Sequence, residues 1–322
     1  MILNAADRMT AIEVVRLSTN PDPFMALEYL VQKNEILLDM PQIQCNQGTE
    51  HTILLQLENP KGMHRTYYEG TKTVSTQTKT KKETTTMVEA WAEVDEVLAK
   101  DSGSPDQLRN HVAGRVITGM GLAQAQELIY GKRKGVTENN DSVDGFATRL
   151  AKIDNENVFS MGGTGTNLTS LYLVALGEHY CHMIYPQHSE TMGIERIDWG
   201  RQTALDKNNN QYSVLKDQFR VRYGLAIPNP FAVKRIANIA PDTDADDLVD
   251  KVLSIMRRMP SGAHTYVMYA NYTVQDIFDK AARDKPNVMH NTTDPWGNPV
   301  NTIREFRIRT VEAIRDDETA VA

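Results

Sequence analysis

Residues 66–86 read TYYEGTKTVSTQTKTKKETTT: nine threonines, four lysines (Lys72, Lys79, Lys81 and Lys82), and only Tyr67, Tyr68 and Val74 as large apolar side chains. Threonine at near-alternate positions (Thr71, Thr73, Thr76, Thr78, Thr80) suits a pleated backbone and disfavours helix. A strand with two polar faces has no core of its own, and its register is weakly specified. An isolated two-stranded ribbon is marginally stable in water, so this one is expected to lie on something else. The expected support is another copy of the same chain, with Tyr67, Tyr68, Lys72, Lys79, Lys81 and Lys82 as candidate intersubunit contacts.

The surrounding 322 residues are globular in composition, 40% hydrophobic and 24% charged. That length allows one large or two ordinary domains. A net charge of -7 argues against a dedicated nucleic-acid binder. The sign is uneven, basic over 61–82 and acid-rich over the last eighty or so residues, which fits surfaces of opposite sign meeting between subunits, although solvated charge runs are the commoner cause of such asymmetry. Two cysteines, Cys45 and Cys181, give no disulfide framework and suit a reducing compartment. No apolar run reaches 18 residues and the N-terminus lacks a signal-peptide pattern, so cytosolic synthesis is expected.

Apolar residues at helical spacing (Leu27, Leu30, Val31, Ile36, Leu37) predict one amphipathic helix over 24–39, within a tethering arm reaching about residue 41. Residues 42–57 alternate as a strand, 59–62 turn, and the threonine-rich segment completes an extended hairpin. Residues 87–100 are expected to be helical, with Trp91, Val94 and Leu98 on one face. Ser104, Pro105 and Gln107 predict a capped helix start, and the helix is expected to run to Tyr130 and stop at Gly131. Gly114, Gly119 and Gly121 within it are read as marks of close packing or a bend. Strands are expected over 171–176, 180–185, 211–223 and 231–239, then a helix over 244–258 and a strand over 264–270. A helix capped by Thr273 covers 274–283, and a last strand covers 300–308. The class is α+β.

Few residues suggest chemistry. Residues 161–167, MGGTGTN, resemble a phosphate loop but lead into a strand, so a turn between packed elements is expected. His179, Cys181, His182 and His188 are the densest potential metal ligands, yet strand alternation puts His179 and Cys181 on one face and His182 on the other. Asp242, Asp244, Asp246 and Asp247 lack the glycine and terminal glutamate of a calcium loop and fit the first turn of a helix. No catalytic, cofactor-binding or metal residue is therefore assigned.

A set of segments in one order adds a family resemblance: QKNEIL at 32–37 with Asp39-Met40, MVEAWAEVD at 87–95, residues 161–176 with LYLVAL, IYP at 184–186, and FAVKRIANI at 231–239. Together they resemble the tailed-phage major capsid proteins of the Hong Kong 97 fold, nearest the branch found in epsilon-fifteen-like phages. The resemblance implies an N-terminal arm at 1–41, an extended loop at 42–86, and a peripheral domain at 87–239 with its spine helix near 105–130 and sheet strands at 171–239. It also implies an axial domain at 240–300 and a C-terminal strand and tail at 301–322. The implied function is self-assembly into the pentamers and hexamers of an icosahedral phage head enclosing double-stranded DNA, made and assembled in the bacterial host cytoplasm. Implied partners are the chain itself, a portal protein, a separate scaffolding protein and a decoration protein, with no cofactor. Lys72, Lys79, Lys81 and Lys82 lie in the loop, but no asparagine partner for a crosslink is identified. Three alternatives stay open: a bacterial nanocompartment shell, a metal-dependent hydrolase using His179, Cys181 and His182, and a nucleic-acid binder using the basic ribbon.

Overall fold

The computed structural model describes residues 34–58, 61–73, 77–101, 103–133, 142–189, 191, 193–205, 207–263, 265–284, 290–293 and 299–322. The sequence-predicted arm before residue 34 lies outside the described residues. The first described element, α1 (Ile36–Asp39), is one turn that buries Ile36 and Leu37. β1 (Gln42–Gln44), β2 (Glu50–Glu58), β3 (Gln77–Thr84) and β4 (Thr86–Asp95) follow, then α2 (Glu96–Asp101), α3 (Pro105–Tyr130) and α4 (Phe146–Arg149). Next come β5 (Val158–Ser160), β6 (Thr169–Leu176), β7 (His182–Tyr185), β8 (Ile194–Leu205), β9 (Gln211–Ala226) and, after a 3-10 turn, β10 (Val233–Ile239). The chain closes with α5 (Ala245–Met256), β11 (Thr265–Ala270), α6 (Tyr272–Asp284), β12 (His290–Thr293), β13 (Pro299–Ile303) and β14 (Phe306–Thr310).

Three sheets organise these elements. One runs β12-β13-β14-β11-β6-β10-β5, a second runs β1-β7-β9-β4 with β8 also on β9, and β2 pairs β3 alone. β6 and β10 are buried at every position. Their side chains divide between two cores, which explains apolar runs without alternation. Leu171, Leu173, Ile236 and Met268 meet α5 and α6 on one face. Tyr172, Val174, Val233, Val267 and Tyr269 meet α1, the end of α3 and the C-terminal residues Val311, Ala313 and Ile314 on the other. The expectation that strands 171–239 share one sheet is therefore corrected. β6 and β10 pair with each other and β6 with β11, whereas β7 and β9 pair with each other and with β1 and β4.

The long helix stands where the sequence places it. At 1.5 Å per residue its 26 residues span about 39 Å. Its signals act differently from expectation, however. The Ser104 side chain makes no cap hydrogen bond, leaving Pro105 as the effective start signal. Gly131 at the end is not left-handed; a Cβ there would collide with the carbonyl oxygens of Glu127 and Val143, so glycine lets the returning chain pass. A Cβ at Gly119 would meet nothing, so packing within this chain does not require that glycine.

The helix expected over 87–100 is mostly strand. β4 pairs with β9 from Thr86 opposite Tyr223 to Asp95 opposite Val214, leaving only Glu96–Asp101 helical. Val88, Ala90 and Ala92 face Ala113, Met120 and Phe219 under α3, while Met87, Glu89, Trp91 and Glu93 are exposed. The alanines and glutamates suit helix, but a ten-rung partner outweighs propensity. β8 escaped sequence reading because its alternation breaks at a bulge beside Trp199, where Gly200 takes φ 64°.

Three smaller expectations also change. The strand of 42–57 is split at 45–49, so that β1 joins β7 while β2 leaves the body. Asn271, not Thr273, caps α6, its Oδ1 accepting from Val274 N at 3.1 Å. The last strand is a hairpin, β13–β14, turned by Arg304 at φ 54°. The residues after it are no loose tail. Arg235 Nη2 donates to Glu318 Oε2 at 2.9 Å, and the Val321 backbone binds the Asn238 amide in both directions.

Candidate assembly surfaces

The ribbon β2–β3 leaves the body from a packed root. Ile53 is buried against Cys45, Ile184 and Ala226, while Leu54, on the opposite face, is 69% exposed. The root is also fixed by charge. Arg149 Nη1 and Nη2 grip the two Glu83 oxygens at 2.6 and 2.8 Å, and Lys81 approaches the same carboxylate at 2.7 Å. Burial pushes the Glu83 carboxyl up, but hydrogen bonds from Arg149 and Lys81 outweigh it and hold the group below its ordinary range. Beside this pair the His51 ring meets the His182 ring edge-on at 5.6 Å.

Beyond the root, every residue from 61 to 73 is exposed. Tyr67 and Tyr68 are 94% and 104% exposed, and Tyr68 holds a left-handed φ of 68°. A backbone of that kind is uncommon for a bulky residue and marks a sharp tip. Lys72 and Lys79 are exposed as well. Lys81 and Lys82 instead have partners within the chain, Glu83 and Glu50, the latter at 3.0 Å. The structure therefore brings Lys81 and Lys82 to the root and the two tyrosines and Lys72 to the tip.

A second exposed surface was not legible as such in the sequence. On the outer face of β4 and β8, Trp91 and Trp199 are 42% and 48% exposed, with ring centroids 6.0 Å apart. Lys216 Nζ stands 4.6 Å from the Trp91 ring centre. Salt bridges Arg220–Glu89 and Lys216–Glu93 run alongside. The available signal was strict alternation over 87–95, which puts Trp91 opposite the buried alanines only if the segment is a strand.

The chemical alternatives lose their geometry. His179 is exposed, Cys181 is wholly buried in the core, and His182 meets His51 edge-on with Nδ1 3.3 Å from the Gly177 carbonyl oxygen. Burial pushes the Cys181 thiol up to about 12, which opposes the thiolate that metal binding or nucleophilic attack needs. Among the described residues, no group of three histidine, cysteine or acidic side chains could hold a metal ion. The glycine loop turns between β5 and β6 with Gly162 and Gly165 at φ 85° and 124°. Asp244 caps α5, its Oδ1 accepting from Asp246 N at 2.9 Å.

A projecting polar ribbon, a long helix, a five-stranded sheet and a two-sided core sheet together match the mixed helix-and-sheet architecture of Hong Kong 97-type shell subunits. The profile of the family described as Major capsid protein GP7 matches residues 20–322, and the chain belongs to that family. A chain of the bacteriophage Epsilon15 particle is similar in structure, with a TM-score of 0.67 and 25% identity over 88% of each chain. The capsid of bacteriophage JBD30 gives 0.45 and 10% identity, covering 88% of this chain and 90% of that one. The SrpI encapsulin of Synechococcus elongatus gives 0.44 and 10%, covering 64% and 87%. No curated protein matches in sequence. The protein is thus a component of a phage head shell, a structural family rather than an enzyme family, and the nanocompartment reading is the weaker one. No helix among the described residues is long and apolar enough to cross a membrane.

Proposed function

We propose that the chain assembles into pentamers and hexamers of an icosahedral head around double-stranded DNA, with the β2–β3 ribbon lying across the long helix of a neighbouring copy. The observation that carries this reading is the exposed tip of 61–73 with Tyr67 and Tyr68 bare. Two adjacent bare aromatic side chains at a projecting tip form an exposed patch of the kind that marks an interaction surface. Lys72 and Lys79 are the exposed charged candidates, whereas Lys81 and Lys82 act first in holding the ribbon to its own body. Each contact contributes near 1 kcal/mol net, so a single copy stays reversible while many copies close a shell. Assembly takes place in the bacterial host cytoplasm with portal, scaffolding and decoration proteins as partners.

The axial part corresponds to the seven-stranded sheet with α5 and α6, which moves β6 and β10 out of the peripheral part and into this one. The peripheral part keeps α3 and the five-stranded sheet. The acidic balance limits adhesion of the shell to packaged DNA.

Deleting residues 70–82 would remove most of β3 along with the tip, so a sharper test replaces 61–73 by a short glycine-serine turn and, separately, makes Tyr67→Ser with Tyr68→Ser. Circular dichroism should show folded subunits in both cases, and electron micrographs should show no closed shells. Normal shells from the double tyrosine variant would remove the tip from the interface.

A further inference from the structure

Residues 34–40, where the described chain begins, are fastened to β14 by a small charged cluster. Glu35 N donates to the Thr310 carbonyl at 3.1 Å, Thr310 N donates to Glu35 Oε2 at 2.8 Å, and Ala313 N donates to Asn34 Oδ1 at 3.1 Å. Arg309 serves two acids at once: Nη1 lies 3.2 Å from Glu35 Oε1, Nη2 lies 3.0 Å from Asp39 Oδ1, and Nε lies 3.0 Å from Asp39 Oδ2. The Asp39 side chain is only 12% exposed. The remaining groups that face it are Arg307 on β14, which is exposed, and Tyr269 on β11, whose buried hydroxyl has no hydrogen-bond partner among the described residues. The cluster therefore sets two carboxylates against one guanidinium, and Asp39 is the acid held furthest from water, since the Glu35 and Arg309 side chains are 25% and 27% exposed.

We propose that this cluster is a proton-controlled latch: one proton taken up by Asp39 fastens residues 34–40 to β14, and its loss loosens them. Neutralising the surplus charge leaves Arg309 paired with Glu35 and lets a neutral Asp39 sit in its buried place without the desolvation cost of a carboxylate. The direction of titration agrees. Burial raises Asp39 from 3.8 to about 6, against the lowering effect of Arg309 and with a further raise from Glu35. An undocked Asp39 in water ionises near its ordinary value, so between the two values the docked segment holds one proton more than the undocked one. Docking then strengthens as pH falls through about 6 and is fully strengthened below about 4. A separation of about two units corresponds to about a 100-fold change in the docking equilibrium. The inference goes beyond the shell reading and does not depend on it.

Amide hydrogen exchange on the full-length protein, corrected for the intrinsic pH dependence of exchange, tests the latch. Protection of residues 38–40 should rise by about 25-fold from pH 7.5 to pH 4.5. Asp39→Asn, a neutral isostere, should show the high protection at both pH values, and Glu35→Gln should move the midpoint to lower pH. Protection that is flat or falls on acidification in the native chain would overturn the proposal. So would an Asp39→Asn chain that fails to fold, since the neutral group is claimed to fit at least as well.

Discussion

β3 and β6 are both eight-residue strands, QTKTKKET and TSLYLVAL, and they occupy opposite extremes of the same molecule. β6 is buried at all eight positions, with apolar layers on both faces. β3 has β2 as its ladder partner and exposes Lys79, Thr80 and Lys82. Backbone pairing alone is thus no measure of what a strand contributes: β6 holds the subunit together, whereas β3 is held by it, through Glu83 and the small apolar root. A strand that adds little to its own fold is free to serve another surface, which is why the ribbon is the assembly candidate and the core sheet is not.

The comparison breaks first at the root. Arg149→Met leaves the Glu83 carboxylate buried with Lys81 as its remaining ion-pair partner, at a cost of about 3–5 kcal/mol in denaturant unfolding of the subunit. A loss below about 1 kcal/mol would mean that the ribbon is not clamped by that pair.

Next come matched truncations in the two strands. Leu173→Ala in β6, wholly buried, should cost about 2–5 kcal/mol, while Thr80→Ala in β3 should stay within about 0.5 kcal/mol. Equal costs would erase the distinction between the strands.

The smallest effect concerns pH. Burial lowers the His51 imidazole below its ordinary value of 6.5, against raising effects of Glu83 and Glu178. A base held neutral in the fold loses stability to the unfolded chain as pH falls below 6.5, so the β2–β3 rungs, corrected for the intrinsic pH dependence of exchange, should be less protected at pH 5.5 than at 7.5. His51→Phe should remove that dependence. Acid would then loosen the ribbon root while tightening the arm root at Asp39, and a response in the same direction at both would contradict one of the two assignments.

Much of this was legible without a structure. The polar ribbon, the helix from Pro105 to Tyr130 and the apolar runs of β6 and β10 each follow from local sterics and from which side chains can leave water. The Asp244 cap of α5 and the turn role of the glycine loop were equally local. The state of residues 86–95 was not: its residues suit helix or strand, and only ten rungs with β9, more than a hundred residues later, decide. The root and arm clusters were hidden for the same reason, since Arg149 meets Glu83 across 66 positions and Arg309 meets Asp39 across 270.

The sequence by itself determined that this chain carries a strap with no core of its own, because two polar faces cannot bury each other. Where the strap is rooted, which strands share its sheet, and which single arginine holds each acid were decided by tertiary structure alone. Those facts depend on segments far apart in the chain meeting in space, and no local pattern of side chains encodes such a meeting.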